Sequence, residues 1–325
     1  MTSPFEGFEV ERGMRPSPNG LPFDLDRALD SVVVLHAKVP EDASTAEALG
    51  TERLGNGVVI GTSGLVLTIG YLVTEAEEVT LITNDDRWVP AHVLGVDPAT
   101  GFGLVNALEP LDLPSLPIGN SKTLESGDSV ILAGGGGRSH AMAARMIARA
   151  PFAGYWEYLL DEALFTGPGH PHWSGAALIS GSGALMGVAS LQMNQETPDG
   201  RAPLINMCVP IELLPPIVES LSAGRPPQPP RPWLGVYSQD ADGGVMVLDV
   251  TPGGPASDAD VRPGDVVVAV DGQQVANLAD LYTKVWALGP AGVTAPLRVR
   301  RAGATLDLNV RTIDRSARMK KRRFN

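Results

Sequence analysis

Cysteine is almost missing from this chain of 325 residues. Cys208 is the only one, so no disulfide can close within it. It lies in the apolar stretch Ile205-Asn206-Met207-Cys208-Val209-Pro210, where a thiol serves as a small buried hydrophobe. Aromatic residues make up only 5%, and no run approaches the ~20 apolar residues of a membrane-crossing helix. Positive charge is also short: 25 Lys and Arg face 37 Asp and Glu, a net charge of −12 that argues against a nucleic-acid role. The exception is the tail Arg315 to Arg323, ending Lys320-Lys321-Arg322-Arg323, which is either solvated or turned to an acidic surface or membrane. Residues Met1 to Gly20 carry Glu6, Glu9 and Glu11 and no apolar signal-peptide core, so the expected location is the cytoplasm.

What the chain has in plenty is glycine (37) and proline (28), with 43% apolar and 19% charged residues. That mixture favours short strands and tight turns in a soluble protein with more than one domain. Residues 1–24 read as a weakly structured N-terminal arm. From Ser31 onward, β-branched runs recur between turns: Ser31 to Leu35, Gly57 to Ile60, Gly64 to Thr68, Glu78 to Thr83, Trp88 to Val96, Gly103 to Ala107, Asp128 to Ala133, Ser174 to Ile179 and Leu185 to Leu191. This rhythm predicts a sandwich or a pair of barrels over residues 25–221. Pro210 to Leu221 has helical spacing and is expected to close that domain. Residues 222–232, Ser222-Ala223-Gly224-Arg225-Pro226-Pro227-Gln228-Pro229-Pro230-Arg231-Pro232, form a stiff extended linker. Residues 233–313 form a smaller domain with a helix over Leu278 to Leu288, capped by Asn277 and stopped by Gly289-Pro290, and residues 314–325 are the basic tail.

The residues that bear on chemistry centre on Ser174, in Pro171-His172-Trp173-Ser174-Gly175-Ala176. A serine hydroxyl attacks a carbonyl only when a base removes its proton and donors hold the oxyanion. His170 and His172 share the serine's own loop, whereas a base must reach it from another strand. No lysine is near. His170-Pro171-His172 offers two imidazoles, too few for a structural zinc site, and the reading is of solvated loop histidines with no metal and no cofactor. The run Gly134 to Gly137 lacks the Lys-Ser/Thr of a phosphate loop and is expected to be a flexible surface loop.

The phrase Thr251-Pro252-Gly253-Gly254-Pro255-Ala256, followed by Val261-Arg262-Pro263-Gly264-Asp265-Val266-Val267-Val268-Ala269-Val270-Asp271-Gly272, resembles a bacterial PDZ domain, with Asp260 where that family has glycine. The resemblance implies peptide binding by strand addition, with a carboxylate loop at Trp233-Leu234-Gly235-Val236. Leu278, Leu281, Tyr282 and Val285 would then be groove wall, unless they are ordinary core at helical spacing. The whole stretch from about residue 30 to 313 resembles the HtrA (Deg-type) serine proteases. The phrases that carry this are Gly55-Asn56-Gly57-Val58-Val59-Ile60, Gly64 to Thr68, Val96-Asp97-Pro98-Ala99-Thr100, Ile118-Gly119-Asn120-Ser121, Ser174-Gly175 and Val209-Pro210-Ile211. The implied fold is mainly β: a trypsin-like double β-barrel followed by an α+β PDZ domain.

Within that resemblance Tyr71 stands at the histidine position, Gly101 at the aspartate position and His172 at the oxyanion-hole glycine, leaving Ser174 as the remnant nucleophile. Loss of a triad member costs on the order of 10⁴ in rate. The expectation is therefore a pseudoprotease that binds protein C-termini or internal peptides as an adaptor. The alternatives are an active endopeptidase with an unusual base and a structural assembly protein. The resemblance also implies a homotrimer joined by N-terminal arms, to which Phe5, Phe8 and Phe23 would contribute.

Overall fold

The computed structural model describes residues 9–195, 200 and 202–320. Phe5, Phe8 and the basic residues Lys321, Arg322 and Arg323 lie outside the described residues. The chain forms two compact units, one of residues 9–150 and 162–227 with Lys320, the other of Pro151–Asp161 and Gln228–Met319.

The first unit holds two closed barrels of six strands each. In the first barrel the strands are β1 (Val32–Lys38), β2 (Glu52–Val59), β3 (Leu65–Ile69), β4 (Glu78–Ile82), β5 (Trp88–Val96) and β6 (Phe102–Ala107), in the spatial order β1-β2-β3-β6-β5-β4. Alternation sends Val33, Leu35 and Ala37 of β1 inward against Val59, Val66, Leu81 and Val105. Full burial of such side chains stabilises by roughly 1.5–3 kcal/mol each. The second barrel is β7 (Ser129–Ala133), β8 (Ala141–Gly154), β9 (Tyr158–Gly167), β10 (Ala177–Ser180), β11 (Leu185–Asn194) and β12 (Leu204–Pro210), in the order β10-β11-β12-β9-β8-β7. Cys208 lies in its core with Leu132, Met142, Leu164 and Leu178, and burial pushes the thiol up to about 12.

Three local expectations are corrected. Residues beyond Val10 are not a loose arm: Val10 is 2% exposed within the second core, and its N–H donates to Ser139 O at 2.9 Å. Phe23 packs so closely on Gly183 that a β-carbon there would come within 2.7 Å of the ring. The helix expected over Pro210 to Leu221 is split into a 3-10 turn, Ile211–Leu213, and a short helix, Val218–Ser222. Pro215 and Pro216 remove the donors that would join them. The glycine run is not a free surface loop either, since Gly134 and Gly135 are buried. A β-carbon on Gly135 would lie 2.5 Å from Val34 N, so only glycine permits this approach.

The second unit contains the sheet β13 (Val236–Ala241), β14 (Gly244–Val250), β15 (Val266–Val270), β17 (Thr294–Arg301) and β18 (Ala304–Arg311), with the two-residue β16 (Gln273–Gln274) paired to β15. The helix Leu278–Ala287 packs on it through Leu278, Leu281, Tyr282 and Val285, all buried. Asn277 caps this helix by accepting from Asp280 N at 2.9 Å. Asp260 has φ +62°, which explains the glycine usual at this position, and its carboxylate pairs with Arg262 and Arg301. Trp233 and Ile313 form an antiparallel bridge at the sheet margin.

Candidate active site and peptide groove

Tyr71 rides on the single helical turn Gly70–Val73 that follows β3. Two contacts fix that turn. Gly70 N donates to Gly101 O at 2.7 Å, and the buried Arg53 donates through Nη1 to Tyr71 O (2.7 Å) and Thr74 O (2.9 Å). Gly101, with φ +81°, thus offers only its carbonyl where the resemblance puts an acid.

The phenol oxygen lies 2.7 Å from Ser174 Oγ and 2.9 Å from Ser190 O. A carbonyl can only accept, so the single phenolic proton goes to Ser190 O and the serine hydroxyl donates to the phenol oxygen. Burial drives the Tyr71 pKa upward from its ordinary value, opposed only by the bond to Ser174. The serine proton is therefore directed at a neutral phenol, which has no capacity to take it at neutral pH.

The oxyanion side is arranged around His170. It is fully buried rather than solvated, which corrects the reading of a solvated pair. Its Nε2 donates to His140 O at 2.9 Å, and its Nδ1 accepts from His172 N at 3.0 Å. Its backbone is held by Asn206 Oδ1 (2.7 Å) and Gln192 Nε2 (3.1 Å). Burial lowers its pKa to about 4, so the imidazole is neutral and both nitrogens are engaged. The N–H of His172 consequently points at an imidazole. Among the described residues, no group of three or more His, Cys, Asp and Glu lies together as a metal site.

Asn56 on β2, absent from the sequence reading as a site residue, locks the loop. It is fully buried. Its Nδ2 donates to His172 O and Ser174 O, both at 2.9 Å, its N–H donates to Ser174 O at 2.8 Å, and its Oδ1 accepts from Gly135 N at 2.8 Å. Its only sequence signal is a polar residue flanked by glycines at the mouth of an apolar strand. Gly175, with φ +79°, presses against Asn56: a β-carbon there would come 2.1 Å from Asn56 O. Leu54, Asn56, Pro171, His172 and Ser174 line a cleft of about 220 Å³.

In the second unit, Leu234, Gly235 and Val236 present consecutive backbone N–H groups to one point. Gly235 has φ +79°, a conformation that suits glycine. The point is filled by the Glu157 carboxylate: Oε2 accepts from Leu234 N at 2.9 Å, and Oε1 accepts from Gly235 N at 2.7 Å and Val236 N at 3.1 Å. Trp233 flanks the loop, its ring 3.2 Å from where a Gly235 β-carbon would stand. Of the four helix residues expected at the groove, all belong to the core, and Tyr282 also extends its hydroxyl to Gly154 O at 2.8 Å. Nothing in the sequence singled out Glu157.

Comparison with known proteins agrees with both units. Residues 55–188 match the trypsin-like peptidase domain family and residues 232–312 the PDZ domain family. A probable periplasmic serine endoprotease DegP-like of Pseudomonas fulva is 28% identical over 276 residues, 80% of this chain and 55% of that protein. A DegP-like relative in Halomonas elongata is 26% identical over 274 residues, 79% of this chain and 56% of its own length. The chain thus spans about half the length of these curated relatives. Among solved structures, the HtrA-type protease AlgW with a decapeptide aligns over 90% of this chain and 97% of that one, with TM-score 0.54 at 20% identity. The same protease with a tripeptide gives TM-score 0.53 at 21% identity, over 89% and 95% of the two chains. At those identities the likeness concerns the fold. The expected cytoplasmic location is overturned, because these relatives are named periplasmic. The missing signal-peptide core was weak ground, and a lone buried cysteine suits either compartment. With a trypsin-like peptidase domain and one PDZ domain in this order, the chain is of the HtrA/DegP type.

Proposed function

We propose that this chain is a peptide-binding pseudoprotease: its PDZ groove takes peptide carboxylates, and its serine site does not hydrolyse. The observation that carries the reading is the hydrogen bond from Ser174 to a tyrosine whose pKa is driven up by burial. A base at pH 7 must accept a proton, and a phenol of ordinary pKa near 10 is ionised in only about one molecule in a thousand. The absent acid at Gly101 removes the triad's third member, and the engaged His172 amide is withdrawn from the oxyanion hole. The carboxylate loop, by contrast, has its three amides converged. The work of such a molecule is adaptor or scaffold binding, and the relatives' names point to the periplasm as its compartment.

The test pairs two measurements on the whole chain. A labelled decapeptide with a free C-terminal valine binds, its C-terminal amide does not, and casein remains intact. Casein cleavage that Ser174→Ala abolishes would favour an active endopeptidase, the activity in the relatives' names. Absence of both binding and cleavage would leave a purely structural role.

A further inference from the structure

We propose that the resident ligand of the PDZ groove is the chain's own hairpin tip, Pro151–Asp161, with the Glu157 carboxylate seated where a peptide's terminal carboxylate binds. Outside peptides must then displace an internal one. This rests on the peptide-groove reading above and says how that groove is regulated.

The contacts supply the main elements by which a peptide is held at such a groove: a carboxylate on the loop amides and a main-chain bond to the adjacent strand. The carboxylate takes three backbone amides, from Leu234, Gly235 and Val236. Next to it, Ser238 N on β13 donates to Tyr155 O at 2.9 Å, the main-chain bond an added peptide would make. Tyr282 closes the other side, donating to Gly154 O at 2.8 Å and accepting from Glu157 N at 3.1 Å. Ala153 and Leu159 pack on the PDZ core, and the Tyr155 ring lies 6.1 Å from that of Tyr237. Backbone, side chain and carboxylate of the tip are thus all engaged.

The turn itself points the same way. Tyr155, Trp156 and Glu157 link β8 to β9, and Glu157 adopts φ +62°. A three-residue hairpin turn prefers glycine at that left-handed position, where a residue with a β-carbon is strained. Glutamate brings nothing to the turn. What it brings is a carboxylate on three amides, charge-assisted bonds that work against the cost of removing the charge from water. That cost is visible: burial raises the Glu157 pKa to about 7 against the pull of the three amides and of Arg315. A ligand tethered by a few residues also acts at an effective concentration of about millimolar or more, enough to outcompete a weak peptide free in solution.

The experiment uses the whole chain and the labelled decapeptide ending in a free valine. Glu157→Gly keeps the left-handed turn comfortable while removing the carboxylate, and Glu157→Gln keeps an acceptor while removing the charge. Anisotropy should show the decapeptide binding Glu157→Gly at least about tenfold tighter than the unmodified chain, with Glu157→Gln between them. Hydrogen exchange should show the Ser238 and Glu157 amides opening faster in Glu157→Gly. Equal affinity for all three chains, with Ser238 exchange unchanged, overturns the internal ligand and leaves the peptide reading intact. Faster Ser238 exchange in Glu157→Gly, with no decapeptide bound by any chain, upholds the internal ligand and defeats the peptide reading.

Discussion

Two loops of this protein carry backbone amides of the kind that receive an oxygen anion, and they have been put to opposite uses. In the loop before Ser174, the amide of His172 is spent on a neutral imidazole, His170 Nδ1, at 3.0 Å. In the loop before β13, the amides of Leu234, Gly235 and Val236 converge on a carboxylate. The raw material is the same. What differs is the neighbour: a buried histidine of fixed tautomer in one case, and a glycine with φ +79° in the other, which turns its amide alongside those of its neighbours. Both loops are satisfied from within the fold, but only the one filled by a carboxylate keeps the shape of an anion seat, which another carboxylate can take by displacing the first.

The largest effect expected from attacking this contrast is at Asn56. Asn56→Ala removes the bonds to His172 O, Ser174 O and Gly135 N. It strands buried polar groups and should cost about 3 kcal/mol or more of stability in denaturant unfolding. A loss below about 1 kcal/mol would show that the serine loop holds itself.

Next is His170. Its folded pKa of about 4 lies below the ordinary histidine value of 6.5, so the unfolded chain binds more protons between these values. Stability should be complete above pH 6.5 and fall as pH drops toward 4, by on the order of 3 kcal/mol from this group. His170→Gln retains a donor and an acceptor and should flatten the profile over that window. An unchanged slope would remove His170 as the fixed acceptor of the His172 amide.

A smaller effect belongs to the other loop. Gly235→Val introduces a β-carbon at φ +79°, 3.2 Å from the Trp233 ring. Placed in the Glu157→Gly chain, whose groove is open, it should weaken decapeptide binding about tenfold to a hundredfold by anisotropy. Undiminished binding would mean that the amides of this loop do not receive the carboxylate. The smallest effect is at Tyr71. Tyr71→His alone should leave casein turnover undetected, because Gly101 still supplies no acid and the His172 amide is still taken. Turnover restored by that single change would show that the phenol is the whole defect.

Much of this was legible in the residues. Period-two apolar runs announced most strands of both barrels and of the PDZ sheet, and Asn277 with Gly289 bracketed the helix Leu278–Ala287. Tyr71, Gly101 and Ser174 were found through their phrases, and the structure brings Tyr71 and Ser174 together. The hairpin of β8 and β9 was not foreseen. Ala141-Met142-Ala143-Ala144-Arg145-Met146 is built of helix formers, and barrel closure overrides that preference. With the hairpin went Glu157, since a glutamate beside two aromatics carries no signal until the groove it enters is known. His170 misled for a related reason: histidines beside proline look solvated, and only tertiary contacts show one buried to the last atom.

The central claim is that Ser174 donates its proton to a phenol that cannot keep it, and labelling by a fluorophosphonate at pH 7 tests this directly. The account predicts that the unmodified chain takes up no more label than Ser174→Ala. Stoichiometric labelling that the alanine substitution abolishes would contradict it.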